Sequence, residues 1–195
     1  MEEEFQDWYD TEHFPERATC EGFLTASRFI CIDGWPRYLA LYDLADANVL
    51  RGAAYAKIAV ERYSPWTHRI VSRVWGQYRA DAVQVHPGTA LLGGGGVAGR
   101  VALWRFRHAA PAMEASILQG LQTLYGDRPE VAQVRLFRAN QPDGTDYIAI
   151  AELRSPGPAA SGGVAAFGDA VHHLDLVNVY VPYTRRLAGA FPKGT

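Results

Sequence analysis

Cysteine is nearly missing from this chain, and so are the features that would send it to a membrane or to nucleic acid. Cys20 and Cys31, eleven residues apart, are its two thiols. That spacing suits neither a zinc ligand pair nor a disulfide framework, so two reduced thiols in a cytoplasmic protein and no metal site are expected. No apolar run reaches the length that spans a bilayer. The N-terminus is acidic, without a basic stretch leading into an apolar one, and does not read as a signal peptide. Neither sign of charge is in excess: 19 Lys and Arg against 21 Asp and Glu give a formal net charge of -2. The basic residues are spread along the chain, which excludes the electrostatic footprint of a nucleic-acid binder. There is no Walker A lysine motif, no H-E-x-x-H and no G-x-S-x-G. Gly94, Gly96 and Gly99 in "LLGGGGVAGR" match G-x-G-x-x-G formally, but that fingerprint needs a strand before it and a helix after it. Here the run leads into a strand, so a glycine linker is expected at 91–99.

What is present is a globular composition, 48% hydrophobic and 21% charged over 195 residues, enough to build a core without staples. An internal repeat organises it. "YLALYDL" at Tyr38–Leu44 returns as "YIAIAEL" at Tyr147–Leu153. Each copy follows another strand-like run, Phe23–Ile32 and Val131–Ala139, across a turn rich in Gly, Pro and Asp, which is a hairpin signature. A helical pattern precedes each hairpin, at Glu2–His13 and Ala112–Tyr125. A second helix and a last strand follow each: Ser64–Trp75 and Tyr78–His86, then about Ala159–Ala170 and Leu174–Val181. Ser64 is placed to cap its helix, with Pro65 at the first helical position.

The second half has one more strand, Arg100–His108, which completes the β-α-β-β-α-β order of a ferredoxin-like unit. The first half lacks that opening strand. Either the first repeat has lost it, or the numbered start lies inside a longer reading frame. Seven strands and one exposed edge are therefore expected, and such an edge invites pairing with a second chain, predicting a homodimer. The domain organisation reads as a first repeat over 1–90, a linker over 91–99 and a second repeat over 100–195. Both faces of the strands carry apolar residues, so two sheets facing each other across a barrel-like space are expected. The parity carrying Tyr38, Ala40 and Tyr42 is assigned to that lumen, where aromatics and polar tips suit a small organic ligand. Tyrosines that only fill space are the alternative.

On the N-terminal helix Phe5, Trp8, Tyr9 and Glu12 share one side, with His13 at its margin. Pro15 disfavours helical geometry at Phe14, so the helix is expected to break there. His13 would then lie in the last turn, its cationic form favoured by the helix dipole, with Glu12 and Tyr9 as polar neighbours. A histidine titrating near neutrality at the mouth of an apolar pocket suits general acid/base work; a histidine that merely caps the helix is the open alternative. The second repeat carries Gln122 near the equivalent place, so any chemistry would belong to one half. Arg28, Arg135 and Arg138 are expected to pair with acids, and Trp66 and Trp75 to pack. His172, His173 and Asp175 do not form a chelating set, because neighbours on a strand point to opposite faces.

The run "EFQDWYDTEHFPER…EGFLTASRF…DGWPRYLALYDL" resembles the dimeric α+β barrel superfamily, in particular tandem-repeat proteins near its EthD-like branch. The resemblance covers Glu3–Leu44 in sequence and the second repeat through strand order. It implies an α+β fold of two ferredoxin-like repeats packed as a pseudo-dimeric barrel, the first without its opening strand. It further implies a small-molecule enzyme acting on a hydrophobic or aromatic compound. His13 matches the helix histidine suspected as an active-site residue in several branches, with Trp8, Tyr9, Glu12, Tyr38 and Tyr42 around the substrate. No cofactor is expected; haem is compatible with a histidine in this fold, but no motif demands it. The alternative is a non-catalytic ligand-binding or structural barrel.

Overall fold

A computed structural model describes residues 1–94, 98–155 and 160–183. Residues 95–97 of the expected linker, with Gly96 of the formal fingerprint, lie outside the described residues, as does Ala159 at the start of the expected last helix. Seven strands are present among the described residues: β1 (Phe23–Cys31), β2 (Tyr38–Leu44), β3 (Val83–His86), β4 (Arg100–Phe106), β5 (Val131–Gln141), β6 (Gly144–Leu153) and β7 (Leu174–Pro182). They form one curled antiparallel sheet in the order β2-β1-β7-β4-β6-β5-β3.

The order β7-β4-β6-β5 within that sheet is a complete ferredoxin-like unit, with β4 held between β6 and β7 along its length. The first repeat supplies β1, β2 and β3, and it joins the second at two short seams. Phe29–Cys31 of β1 pairs with Tyr180–Pro182 of β7, and Val83–His86 of β3 pairs with Leu136–Arg138 of β5. These seams relate the second strand of each repeat to the last strand of the other, as a pseudo-two-fold barrel requires. What remains is a slot between the unpaired edges of β2 and β3, where the first repeat would hold the counterpart of β4.

The helices follow from local chemistry. After the short α3 (Ala53–Ala56), Ser64 accepts from the Thr67 N–H at 3.0 Å and Pro65 opens α4 (Pro65–Val71), the expected cap. The helix ends at Val71, short of the expected Trp75, which is 95% exposed instead of packed. Tyr78 likewise falls outside the last strand of its repeat, which begins at Val83. In the second repeat a regular helix (Glu114–Tyr125) and the 3-10 turns of Ala160–His173 cover one face of the sheet. Trp104, Phe106, Ile117, Leu121, Tyr147 and Phe167 are fully enclosed there.

The N-terminal helix does not stop where Pro15 predicts. It runs as α1 (Glu2–Trp8), widens to a π-helical turn over Tyr9–His13, and resumes as α2 (Phe14–Ala18). Phe14 keeps helical angles (φ −71°, ψ −47°) and bonds back to the carbonyl of Tyr9. Pro15 has no N–H to give, and its ring crowds the carbonyl four residues back. One extra residue in the preceding turn relieves that crowding without ending the helix.

The lumen parity is also the reverse of the expected one. Leu39 and Leu41 face inward and pack with Phe29, Val101, Leu103, Phe137, Ile150 and Tyr180. Tyr38 and Tyr42 face outward onto the N-terminal helix, where Tyr38 meets Phe5 and its hydroxyl donates to Glu2. The short branched and aromatic residues fill the narrow interior, while the tyrosines carry polar tips that the outer, partly wetted face can satisfy.

Candidate functional site

Because Tyr38 and Tyr42 face outward, the sequence-derived residues meet in the layer between the N-terminal helix and the sheet of the first repeat. His13 lies there as well and so is not a lumen residue. Its ring sits 4.2 Å from that of Trp8 and 4.9 Å from that of Tyr9. Tyr9 reaches Tyr42 on β2, hydroxyl to hydroxyl at 3.3 Å, and Phe14 and Phe23 flank Tyr42. Trp8 is nearly enclosed and donates its indole N–H to Thr67 Oγ1 at 2.8 Å. The structure thus brings His13, Trp8, Tyr9 and Tyr42 together.

Glu12 is placed differently from expectation. Its carboxylate turns to α4, accepting from Ser64 Oγ at 2.5 Å and Thr67 Oγ1 at 2.6 Å. The widened turn lets it reach the capping hydroxyls of a neighbouring helix, so its role is to tie two helices together. Tyr38 stands at the edge of the cluster, bonded to Glu2 and near Arg37.

Arg28 organises the other side. It is 8% exposed, and its guanidinium donates to Asp10 and, at 2.5 Å, to Gln6 Oε1. It lies between the rings of Tyr9 (4.0 Å) and Tyr183 (4.8 Å). Arg135 and Arg138 also take acidic partners, Asp43 with Glu152 and Glu114 respectively. None of the three is left free for an anionic substrate.

The electrostatics reverse the dipole-based expectation for His13. Burial, followed by the charges of Arg17 and Arg28, pulls its pKa down to about 3, because an imidazolium loses hydration there and gains cationic neighbours. The ring is therefore neutral at physiological pH. Burial raises the pKa of Tyr9 and of Tyr42, so both phenols stay protonated and can donate. Two buried polar atoms of the π-turn lack a hydrogen-bond partner, His13 Nδ1 and Asp10 Oδ2. Such orphan atoms are uncommon and call for an explanation, and π-turns recur at functional sites.

Two features were not found from sequence. The π-turn leaves no signature beyond Pro15 four residues after Thr11, and nothing in the helical pattern marks Asp10 of that turn as the partner of Arg28. Among the described residues no group of three or more His, Cys, Asp or Glu is arranged to hold a metal ion. His173 instead holds the Arg107 carbonyl through Nδ1 at 3.0 Å, and Asp175 takes Arg105. A concavity of about 370 Å³ is lined by Ala56, Lys57 and Arg62, and His13 does not line it. No helix among the described residues is long and apolar enough to cross a membrane.

No protein-family model matches the chain, and no curated protein sequence matches it. Among solved structures, an anthrone oxidase-like protein is similar at 14% identity and a TM-score of 0.62, covering 96% of this chain and 88% of that one. A candidate monooxygenase from Lactobacillus acidophilus NCFM matches at 7% identity and a TM-score of 0.46, over 92% of this chain and 88% of that one. The fold is accordingly that of the dimeric α+β barrels.

Proposed function

We propose that the chain is a small-molecule enzyme of the EthD-like kind within the dimeric α+β barrels, acting on a hydrophobic or aromatic compound at the helix–sheet layer of its first repeat. The observation that carries this is the buried, unpartnered Nδ1 of a neutral His13 in a π-turn, walled by Trp8, Tyr9 and Tyr42. His13 exchanges a proton with the substrate, and the Tyr9 and Tyr42 phenols donate to a substrate oxygen. At neutral pH an imidazole whose pKa is drawn down to about 3 takes up a proton when negative charge arrives with it. The deprotonated substrate supplies that charge, which selects compounds that become anionic on losing the proton. Trp8 and Tyr9 offer aromatic faces to such a compound, Tyr38 borders it, and Glu12 holds the turn in place.

The name of the similar structure, anthrone oxidase-like, makes oxygen uptake with an anthrone the first assay. His13→Gln keeps the shape and removes the basic nitrogen, and its expected effect is a loss of roughly 10²–10⁴-fold in turnover. Turnover equal to the parent's would end the acid/base role. The same proposal includes a cytoplasmic homodimer and a division into repeats over 1–90 and 100–195 joined by 91–99. Sedimentation equilibrium tests the dimer, and a monomer at high concentration would contradict it.

A second reading, a non-catalytic barrel, is favoured by the packing of Phe29, Leu39, Leu41, Leu103 and Ile150 in the lumen and by a concavity that His13 does not line. Ligand binding by the parent chain with no turnover of the bound compound would favour it.

A further inference from the structure

The two repeats place a carboxylate at the same point. Asp43 in "YLALYDL" and Glu152 in "YIAIAEL" occupy matching positions on β2 and β6. Arg135 of β5, 1% exposed, stands between them, 2.7 Å from Asp43 and 3.0 Å from Glu152. Each acid is steadied by the strand beside it, Asp43 by Thr25 Oγ1 and Glu152 by Gln133 Nε2, both at 2.7 Å. Two consecutive backbone amides complete the cluster. The Leu92 N–H donates to Asp43 at 2.6 Å and the Gly93 N–H to Glu152 at 2.8 Å.

The segment that brings these amides in crosses the slot between β3 and β2. On the β3 side the Ala90 carbonyl accepts from Gln84 Nε2 at 2.9 Å, and the Leu91 carbonyl accepts from Gln133 Nε2 at 2.7 Å. Leu92 then packs against the apolar lumen cluster. Ala90–Gly93 therefore lies across the lumen of a barrel whose first repeat has no counterpart of β4, held from β2, β3, β5 and β6. Its hold is different from that of β4, which is laddered to β6 and β7 over its whole length. Apart from the local turn bond that the Leu91 carbonyl accepts from the Gly94 N–H at 2.9 Å, the hydrogen bonds found among the described residues from Ala90–Gly93 to the rest of the protein are all made to side chains. A segment bound in that way can leave without breaking a β-ladder, which places its opening at the low end of the protein's range of local stabilities.

We propose that Ala90–Gly93 is a removable strap, clamped by the repeat-related pair Asp43 and Glu152, which closes the lumen in place of the missing strand and opens while the sheet stays folded. It stands apart from the His13 reading and does not depend on it.

Amide hydrogen exchange on the full chain tests it, with Leu92 and Gly93 as reporters and Ala102 and Ala149 as core controls. The expected result is that Leu92 and Gly93 exchange more slowly than free peptide, with rates that low urea leaves unchanged while those of the controls rise. Insensitivity to urea marks an opening that exposes little surface. Glu152→Gln should speed Gly93 by tenfold or more, and by more than it speeds the controls. Should that variant not fold, Asp43→Asn makes the same test with Leu92. Exchange at the free-peptide rate, a urea dependence equal to that of the controls, or equal acceleration of reporter and controls would each overturn the proposal.

Discussion

The helix–sheet layers of the two repeats occupy equivalent places and are built for different ends. In the second, α5, taken as the regular helix Glu114–Tyr125, seals a dry layer in which Trp104, Ile117, Leu121 and Phe167 lose all contact with solvent. Ala151 stands where the first repeat has Tyr42, and Gln122, near the place of His13, is exposed. The first layer widens its helix into a π-turn, keeps Tyr9, His13 and Tyr42 only partly buried, and leaves His13 Nδ1 and Asp10 Oδ2 unpartnered in one turn, where the second layer leaves the Tyr147 hydroxyl. One copy of a duplicated unit holds the fold, which frees the other to carry strain and polarity that a lone domain could not sustain.

That contrast can be broken most forcefully from the second repeat. Trp104→Ala removes an enclosed indole that also donates to Tyr125 at 2.9 Å, and should cost about 3–5 kcal/mol in urea unfolding. A cost under about 1 kcal/mol would show that this layer is not the scaffold. Gly120→Ala comes next. A Cβ there would overlap the Phe167 ring, and overpacking of a filled core should cost about 1–3 kcal/mol.

The third effect belongs to the first repeat and depends on pH. His13 titrates near 3 when folded and near its ordinary value of 6.5 when unfolded. Between those values the unfolded chain binds the extra proton, so stability conferred by the neutral ring is full above about pH 6.5 and is lost as pH falls towards 3. The loss has an upper slope of about 1.4 kcal/mol per pH unit. His13→Gln should flatten the fall relative to the parent across that window, and parallel curves would contradict it. Tyr9→Phe is the smallest change, removing one long hydroxyl contact to Tyr42 for about 0.5–1.5 kcal/mol, with no change in the pH profile.

Much of the frame was legible in the sequence because repetition and turn chemistry are local signals. The repeat placed β2 at Tyr38–Leu44 and predicted seven strands, with no counterpart of Arg100–His108 in the first half, and Ser64-Pro65 fixed the start of α4. The site was legible in its members, with His13, Trp8, Tyr9 and Tyr42 meeting as a group, and not in its orientation. Both parities of β2 are apolar enough to be buried, so periodicity could not say which one a barrel turns inward. Glu12 was assigned to His13 because they adjoin in sequence, whereas its partners lie more than fifty residues away on α4. The Asp43–Arg135–Glu152 cluster was missed, although aligning the two repeats puts both acids at one position. That coincidence was the available signal.

The central feature is a histidine that is half-buried, neutral and unbonded at its enclosed Nδ1, in one repeat alone. Nitrogen-detected NMR titration of the His13 imidazole from pH 7 towards 3 tests this directly. The prediction is a ring that stays neutral through pH 5 and takes its proton at about pH 3. A midpoint at or above 6.5 would mean a solvated ring, and the first repeat would then hold no site of the kind described.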